Sequence, residues 1–142
     1  MPTEYYPIFP RLTTDAEYVE LLPLVIEFCR VTGEPFWKCT HAITASMFPT
    51  SDYLTHLFKV EGKIVGYWCG HFISPTEFHV LQAECSIPDV TREAFKALIG
   101  RMDALGVREI SLLTIHPTKL FEKFGFKFQK SYMTLEVKDG LQ

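Results

Sequence analysis

Between Leu54 and Ile115 the hydrophobic period of the chain changes twice, and few folds can accommodate that order. Leu54 to Val60 and Ile64 to Phe72 are rich in β-branched and aromatic residues, and Glu61-Gly62-Lys63 joins them as a tight turn. This pairing predicts a β-hairpin. A Ser74-Pro75-Thr76 turn leads to a third run, Phe78 to Ile87. From Asp89 to Leu105 the period becomes helical, with Ala94, Leu98, Met102 and Leu105 on one face and Gly106 as the stop. Val107 to Ile115 then returns to a nearly continuous apolar run, the pattern of a central strand covered on both faces. A meander followed by strand-helix-strand implies a mixed sheet with helices on both faces.

Two helices precede this unit. Thr14-Asp15-Ala16-Glu17 reads as a capping box. Tyr18, Leu21, Leu22, Val25, Ile26 and Cys29 follow at helical spacing up to Gly33, with Pro23 inside. A second helix is predicted over Thr40 to Phe48, leaving Phe36 and Trp37 on the connecting loop, and a small strand over Tyr6 to Arg11. After Ile115 come a short helix, Pro117 to Phe124, and a last strand or bent pair, Phe126 to Val137.

The 142 residues fit one domain with a core of its own. A net charge of −3 without a lysine or arginine run argues against nucleic acid as partner. No apolar stretch reaches membrane-spanning length and the first residues do not resemble a signal peptide, so the chain reads as soluble and cytoplasmic, with no membrane partner. Cys29, Cys39, Cys69 and Cys85 lie apart within apolar segments and read as reduced, packed thiols. Cys39-Thr40-His41 lacks a second ligand pair at zinc spacing, so no metal site is expected.

Near the end stands Leu120-Phe121-Glu122-Lys123-Phe124-Gly125-Phe126, a helical turn cut by glycine and fed into a strand. Together with the element order, "VEGKIVGYWCG" (60–70) and "LGVREISL" (105–112), it resembles the GNAT superfamily, the Gcn5-related N-acetyltransferases. The resemblance implies an α/β (α+β) fold with a mostly antiparallel central sheet. It also implies acetyl-CoA lying between splayed fourth and fifth strands, and an acceptor that is a primary amine of a small molecule or a protein.

Carried onto this sequence, the resemblance makes Glu84 the base. It lays the pantetheine arm along Cys85, Ser86 and Ile87, and the pyrophosphate on the amides of Val90, Thr91, Arg92 and Glu93. Where the family commonly has asparagine and tyrosine beside the arm, this chain has Thr114 and Phe121, and Pro117 stands in place of an alanine. Phe121 donates no proton, so His116 or Tyr132 would have to protonate the leaving thiolate. His71 and His79, on neighbouring strands, are candidates to line an acceptor pocket or are ordinary sheet residues.

The phosphate loop departs from the family. "CSIPDVTREAFKALIG" (85–100) has no glycine before Gly100, and Asp89 places a carboxylate where a pyrophosphate would dock. Small GNAT-like proteins of tailed phages share this loss, and the second reading follows from it: an inactive GNAT-fold protein that works through a protein partner.

Overall fold

The structure, a computed structural model, describes residues 4–8, 15–48, 50–113, 127–129 and 132–137. Among them the chain runs β1 (Glu4–Ile8), α1 (Asp15–Thr32), α2 (Phe36–Ala45), β2 (Tyr53–Val60), β3 (Lys63–Ser74), β4 (Glu77–Cys85), α3 (Pro88–Ala104), β5 (Glu109–Leu113), β6 (Lys127–Gln129) and β7 (Tyr132–Glu136). The strands form one sheet in the order β1-β2-β3-β4-β5-β7-β6. Every neighbouring pair is antiparallel except β4 and β5, which α3 connects as a crossover. The mixed, mostly antiparallel sheet that the sequence predicts is therefore present, and its last strand is a bent pair, β6 and β7.

Local chemistry sets the boundaries. Glu61 and Gly62 both take positive φ (52° and 79°), as the two-residue turn between β2 and β3 requires. Helix α3 ends in a Schellman motif: Gly106, at φ 83°, donates to the Asp103 carbonyl at 3.1 Å, and Val107 donates to that of Met102 at 2.9 Å. Pro23 sits on the exposed side of α1. The carbonyl that its missing N–H leaves without a donor is that of Val19, itself 63% exposed, where water can satisfy it.

Helix α2 starts four residues earlier than the apolar spacing suggests. Pro35 (φ −63°, ψ 133°) is its N-cap, so Phe36 and Trp37 form the first turn rather than a loop. The buried face, Cys39, Ala42 and Ile43, begins only one turn later, which hides the start of the helix in the sequence. Two expected core residues point outward: Ile26, on the outer side of α1, and Leu105, which caps α3.

Helices cover both faces of the sheet. On one face Phe58, Val65, Trp68, Phe78, Val80 and Ile110 pack against Leu98, Ile99 and Met102 of α3. On the other, Leu57, Ile64, Tyr67 and Cys69 pack against Leu21, Leu24 and Val25 of α1 and the buried face of α2. Each fully buried large side chain contributes roughly 1.5–3 kcal/mol. Polar ties then fix the helices in place. The Ile64 amide donates to Glu20 at 3.1 Å, Lys59 pairs with Glu17 at 3.1 Å, and Gln82 donates through Nε2 to the Cys39 carbonyl at 3.0 Å and accepts through Oε1 from the Tyr67 hydroxyl at 2.7 Å.

β3 shifts register with its neighbours three times, at exposed Ile73 and at two β-bulges that alter the side-chain alternation. Phe58 pairs with Gly66 and Lys59 with Ile64, so Val65 is an extra residue in β3. Cys69 pairs with Gln82 and Gly70 with Val80, so Leu81 is an extra residue in β4. Beside the second bulge, Gly70 lies under the Phe78 ring. A Cβ there would come within 2.6 Å of the ring and would collide with the His79 carbonyl oxygen.

Candidate active site

Strands β4 and β5 run together for four rungs, from Glu77–Glu109 to Val80–Leu112. Past that point β4 continues to Cys85 on β3, whereas Leu113 of β5 pairs with Tyr132 of β7. The bulge at Leu81 falls where the strands part, and a bulge bends and twists its strand. An opening therefore begins beyond Val80, and no described strand lies against that edge of β4.

The backbone of β4 is turned toward this opening. The Ser86 amide donates to the Val65 carbonyl of β3 at 2.8 Å, and the Ser86 hydroxyl donates to the same oxygen at 3.1 Å. Successive amides of an extended strand point to opposite edges, so those of Cys85 and Ile87 point away from β3 and into the opening. Ser86 itself is engaged with β3 through its amide and its hydroxyl.

Next comes the N-terminus of α3. Ile87 is an extended N-cap (φ −117°, ψ 117°) without a side-chain cap, and Pro88 occupies the first turn. The first amides of a helix have no intrahelical partner, and proline has no N–H to offer. The free donors are therefore those of Asp89 and Val90. Those of Thr91, Arg92 and Glu93 fall inside the helical ladder, because the first residue of the helix is Pro88. Among the three side chains, Arg92 is exposed. Thr91 is hydrogen-bonded to the Cys85 thiol, whose burial nevertheless pushes it up to about 11, with Glu84 adding to the rise. Burial likewise pushes Cys39 and Cys69 to about 12. These thiols stay protonated and packed rather than nucleophilic.

Glu84 pairs across the sheet with Tyr67, on the face that α1 and α2 cover. The Arg30 guanidinium of α1, held by Glu27, also feels its charge. Cys85 points the other way, toward the α3 core. The proposed base and the two arm-facing amides thus belong to one stretch, from the end of β4 to the cap of α3. Tyr132 lies in β7 on the rung of Leu113. Thr114, His116, Pro117, Phe121 and the 120–126 junction lie outside the described residues, as does Thr14 of the capping box.

A polar row was not assembled from the sequence. Tyr53, His71, His79 and Ser111 stand on four successive strands as registered neighbours on the α1/α2 face. His79 Nδ1 is 2.8 Å from Ser111 Oγ, and burial, with His71 adding, lowers its pKa from 6.5. His71 packs edge-on to His79, ring centroids 5.8 Å apart. Histidines in adjacent strands are visible in the sequence; their register and the Ser111 partner are not.

Among the described residues no helix is long and apolar enough to cross a membrane. No protein-family model matches the sequence, and no curated protein matches it significantly. Solved structures do match in shape. The PaiA N-acetyltransferase from Thermoplasma acidophilum, complexed with coenzyme A, aligns with a TM-score of 0.73 at 14% identity, over 96% of this chain and 99% of that one. An aminoglycoside 6'-N-acetyltransferase complexed with coenzyme A gives 0.73 at 10% identity over 96% and 97%. The ribosomal-protein-S18-alanine N-acetyltransferase from Escherichia coli gives 0.70 at 12% identity over 96% and 94%. With this strand order, the single parallel pair and its parting beyond Val80, the chain has the fold of the Gcn5-related N-acetyltransferases.

Proposed function

We propose that the protein transfers an acetyl group from acetyl-CoA to a primary amine. The observation that carries this reading is the opening between β4 and β5, flanked by the Cys85 and Ile87 amides and the N-terminus of α3. Such an opening suits a long, thin substrate arm that bonds edge-on to a strand. The helix end suits its anionic phosphates, because free amides and the helix dipole both favour negative charge there. Structures of this shape include two acetyltransferases complexed with coenzyme A, and acetyltransferases named for acceptors as different as an aminoglycoside and a ribosomal-protein alanine. The acceptor class here is accordingly a small-molecule or protein amine.

In this reading the Cys85 and Ile87 amides hold the pantetheine arm, and the amides of Asp89 and Val90 take the pyrophosphate, with Thr91, Arg92 and Glu93 on the following turn. Thr114 and Phe121 line the arm. Glu84 attracts the acceptor ammonium, directly or through a water. His116 or Tyr132 returns a proton to the leaving thiolate.

Titration calorimetry with acetyl-CoA, and with CoA as control, tests the reading. Micromolar binding, about −8 kcal/mol, is expected. No heat, and no thermal shift at millimolar ligand, refutes it. One set of observations favours the second reading, contact with a protein partner. The turn before α3 lacks glycine, and the first turn of α2 exposes Trp37 at 70% and Phe36 at 44%.

A further inference from the structure

Within the acetyl-transfer reading, on which this inference rests, we infer that His79, held by Ser111, takes the proton of the acceptor ammonium and that His71 passes it on toward solvent. The place of His79 in the sheet supports this first. The rung His79–Ser111 is the last but one before β4 and β5 part. An arm bonded to the Cys85 and Ile87 amides, with its phosphates at the start of α3, points its thioester end back along β4 toward the closed end of the opening. His79 stands at that end, on the face that α1 and α2 cover, and Glu84 stands four rungs further along the same face.

The chemistry of the row agrees. His79 Nδ1 lies 2.8 Å from Ser111 Oγ; in the tautomer that this step uses, Nδ1–H donates to that oxygen and the Nε2 lone pair is free. Burial, reinforced by His71, keeps the imidazole neutral at neutral pH, as a proton acceptor must be. Tyr53 stands beyond His71, ring centroids 5.3 Å apart, and closes the row on β2. Nδ1 of His71 is buried and has no hydrogen-bond partner among the described residues, so it has an unused site for a proton.

The step balances without a further reactant. One proton leaves the acceptor nitrogen for Nε2 of His79. The freed lone pair forms the C–N bond at the thioester carbonyl carbon, and the C–S pair departs on sulfur. Sulfur ends with the second proton that the nitrogen gives up. Glu84 then serves to attract the ammonium and does not take its proton.

The test has two readouts, with n-butylamine as the probe amine. In the free protein, NMR titration of the His79 ring should give a pKa below 6.5, and saturating acetyl-CoA should shift that resonance. In the pH profile of kcat/KM, the wild type should lose activity as pH falls through the His79 pKa. His79→Gln should abolish that acid limb and lower kcat roughly 100-fold, with acetyl-CoA affinity unchanged by calorimetry. Glu84→Gln should keep the limb and raise the KM for the amine. A limb that survives in His79→Gln or vanishes in Glu84→Gln overturns the inference, as does a His79 resonance indifferent to bound acetyl-CoA; none of these touches the acetyl-transfer reading. Absence of acetyl-CoA binding overturns both.

Discussion

His56 allows a quantitative test of the packing between the sheet and α3. Its imidazole is 5% exposed on β2, stacked on Trp68 at a centroid distance of 5.2 Å and tilted against Phe58 at 4.9 Å. Burial, with the Arg101 guanidinium adding, lowers its pKa from 6.5 to about 4. Between those values the unfolded chain binds a proton that the folded chain refuses, so stability is full above the unfolded value and falls as pH drops toward about 4. At about 1.36 kcal/mol per pH unit, the whole window is worth about 3 kcal/mol, of which about 2 kcal/mol is gone by pH 5. Urea denaturation of the wild type and of His56→Gln at pH 7 and pH 5 isolates this contribution, because carboxylates elsewhere titrate alike in both proteins. The variant should start about 1 kcal/mol less stable from lost stacking and lose about 2 kcal/mol less than the wild type on acidification. Equal acid losses in the two proteins would refute the buried, neutral histidine.

Gly70→Ala should cost about 3 kcal/mol in urea denaturation, the upper end of overpacking, because the new methyl meets backbone at His79 as well as the Phe78 ring. A loss below about 1 kcal/mol would mean that the Gly70–Phe78 approach is looser than the geometry requires. Asp89→Asn should act in two directions. Removing the carboxylate from the second position of α3 should tighten acetyl-CoA severalfold in calorimetry, and should cost about 0.5 kcal/mol of stability through the helix dipole. Unchanged or weaker affinity counts against phosphates docking at that helix end.

The order of elements is legible because each boundary carries its own chemistry. Glycines take positive φ after α1, between β2 and β3 and after α3, and the period changes on either side of them. What the sequence does not carry is the exact pairing between strands. Nothing in the composition of "KIVGYW" or "VLQAEC" marks Val65 or Leu81 as an extra residue, because a bulge depends on the partner strand as much as on its own. The start of α2 is obscured for another reason. Phe36 and Trp37 are exposed, so the amphipathic pattern begins only at Cys39, after one full turn of helix. Ser111 looks in sequence like an interruption of an apolar strand; only the parallel register with β4 makes it the partner of His79.

The bulge at Leu81 links these observations to the chemistry proposed. His79 and Glu84 are five residues apart, and in a regular strand an odd separation puts two side chains on opposite faces. One extra residue between them restores the parity, so both face α1 and α2 while Phe78, Val80 and Cys85 fill the core under α3. The same irregularity lies where β4 leaves β5, freeing the edge at which the Cys85 and Ile87 amides are aimed. A single inserted residue thus opens the slot and gathers a neutral imidazole and a carboxylate on one side of it. This division of β4 into a core-facing side, a polar side and a free edge is what the acetyl-transfer reading requires of that strand.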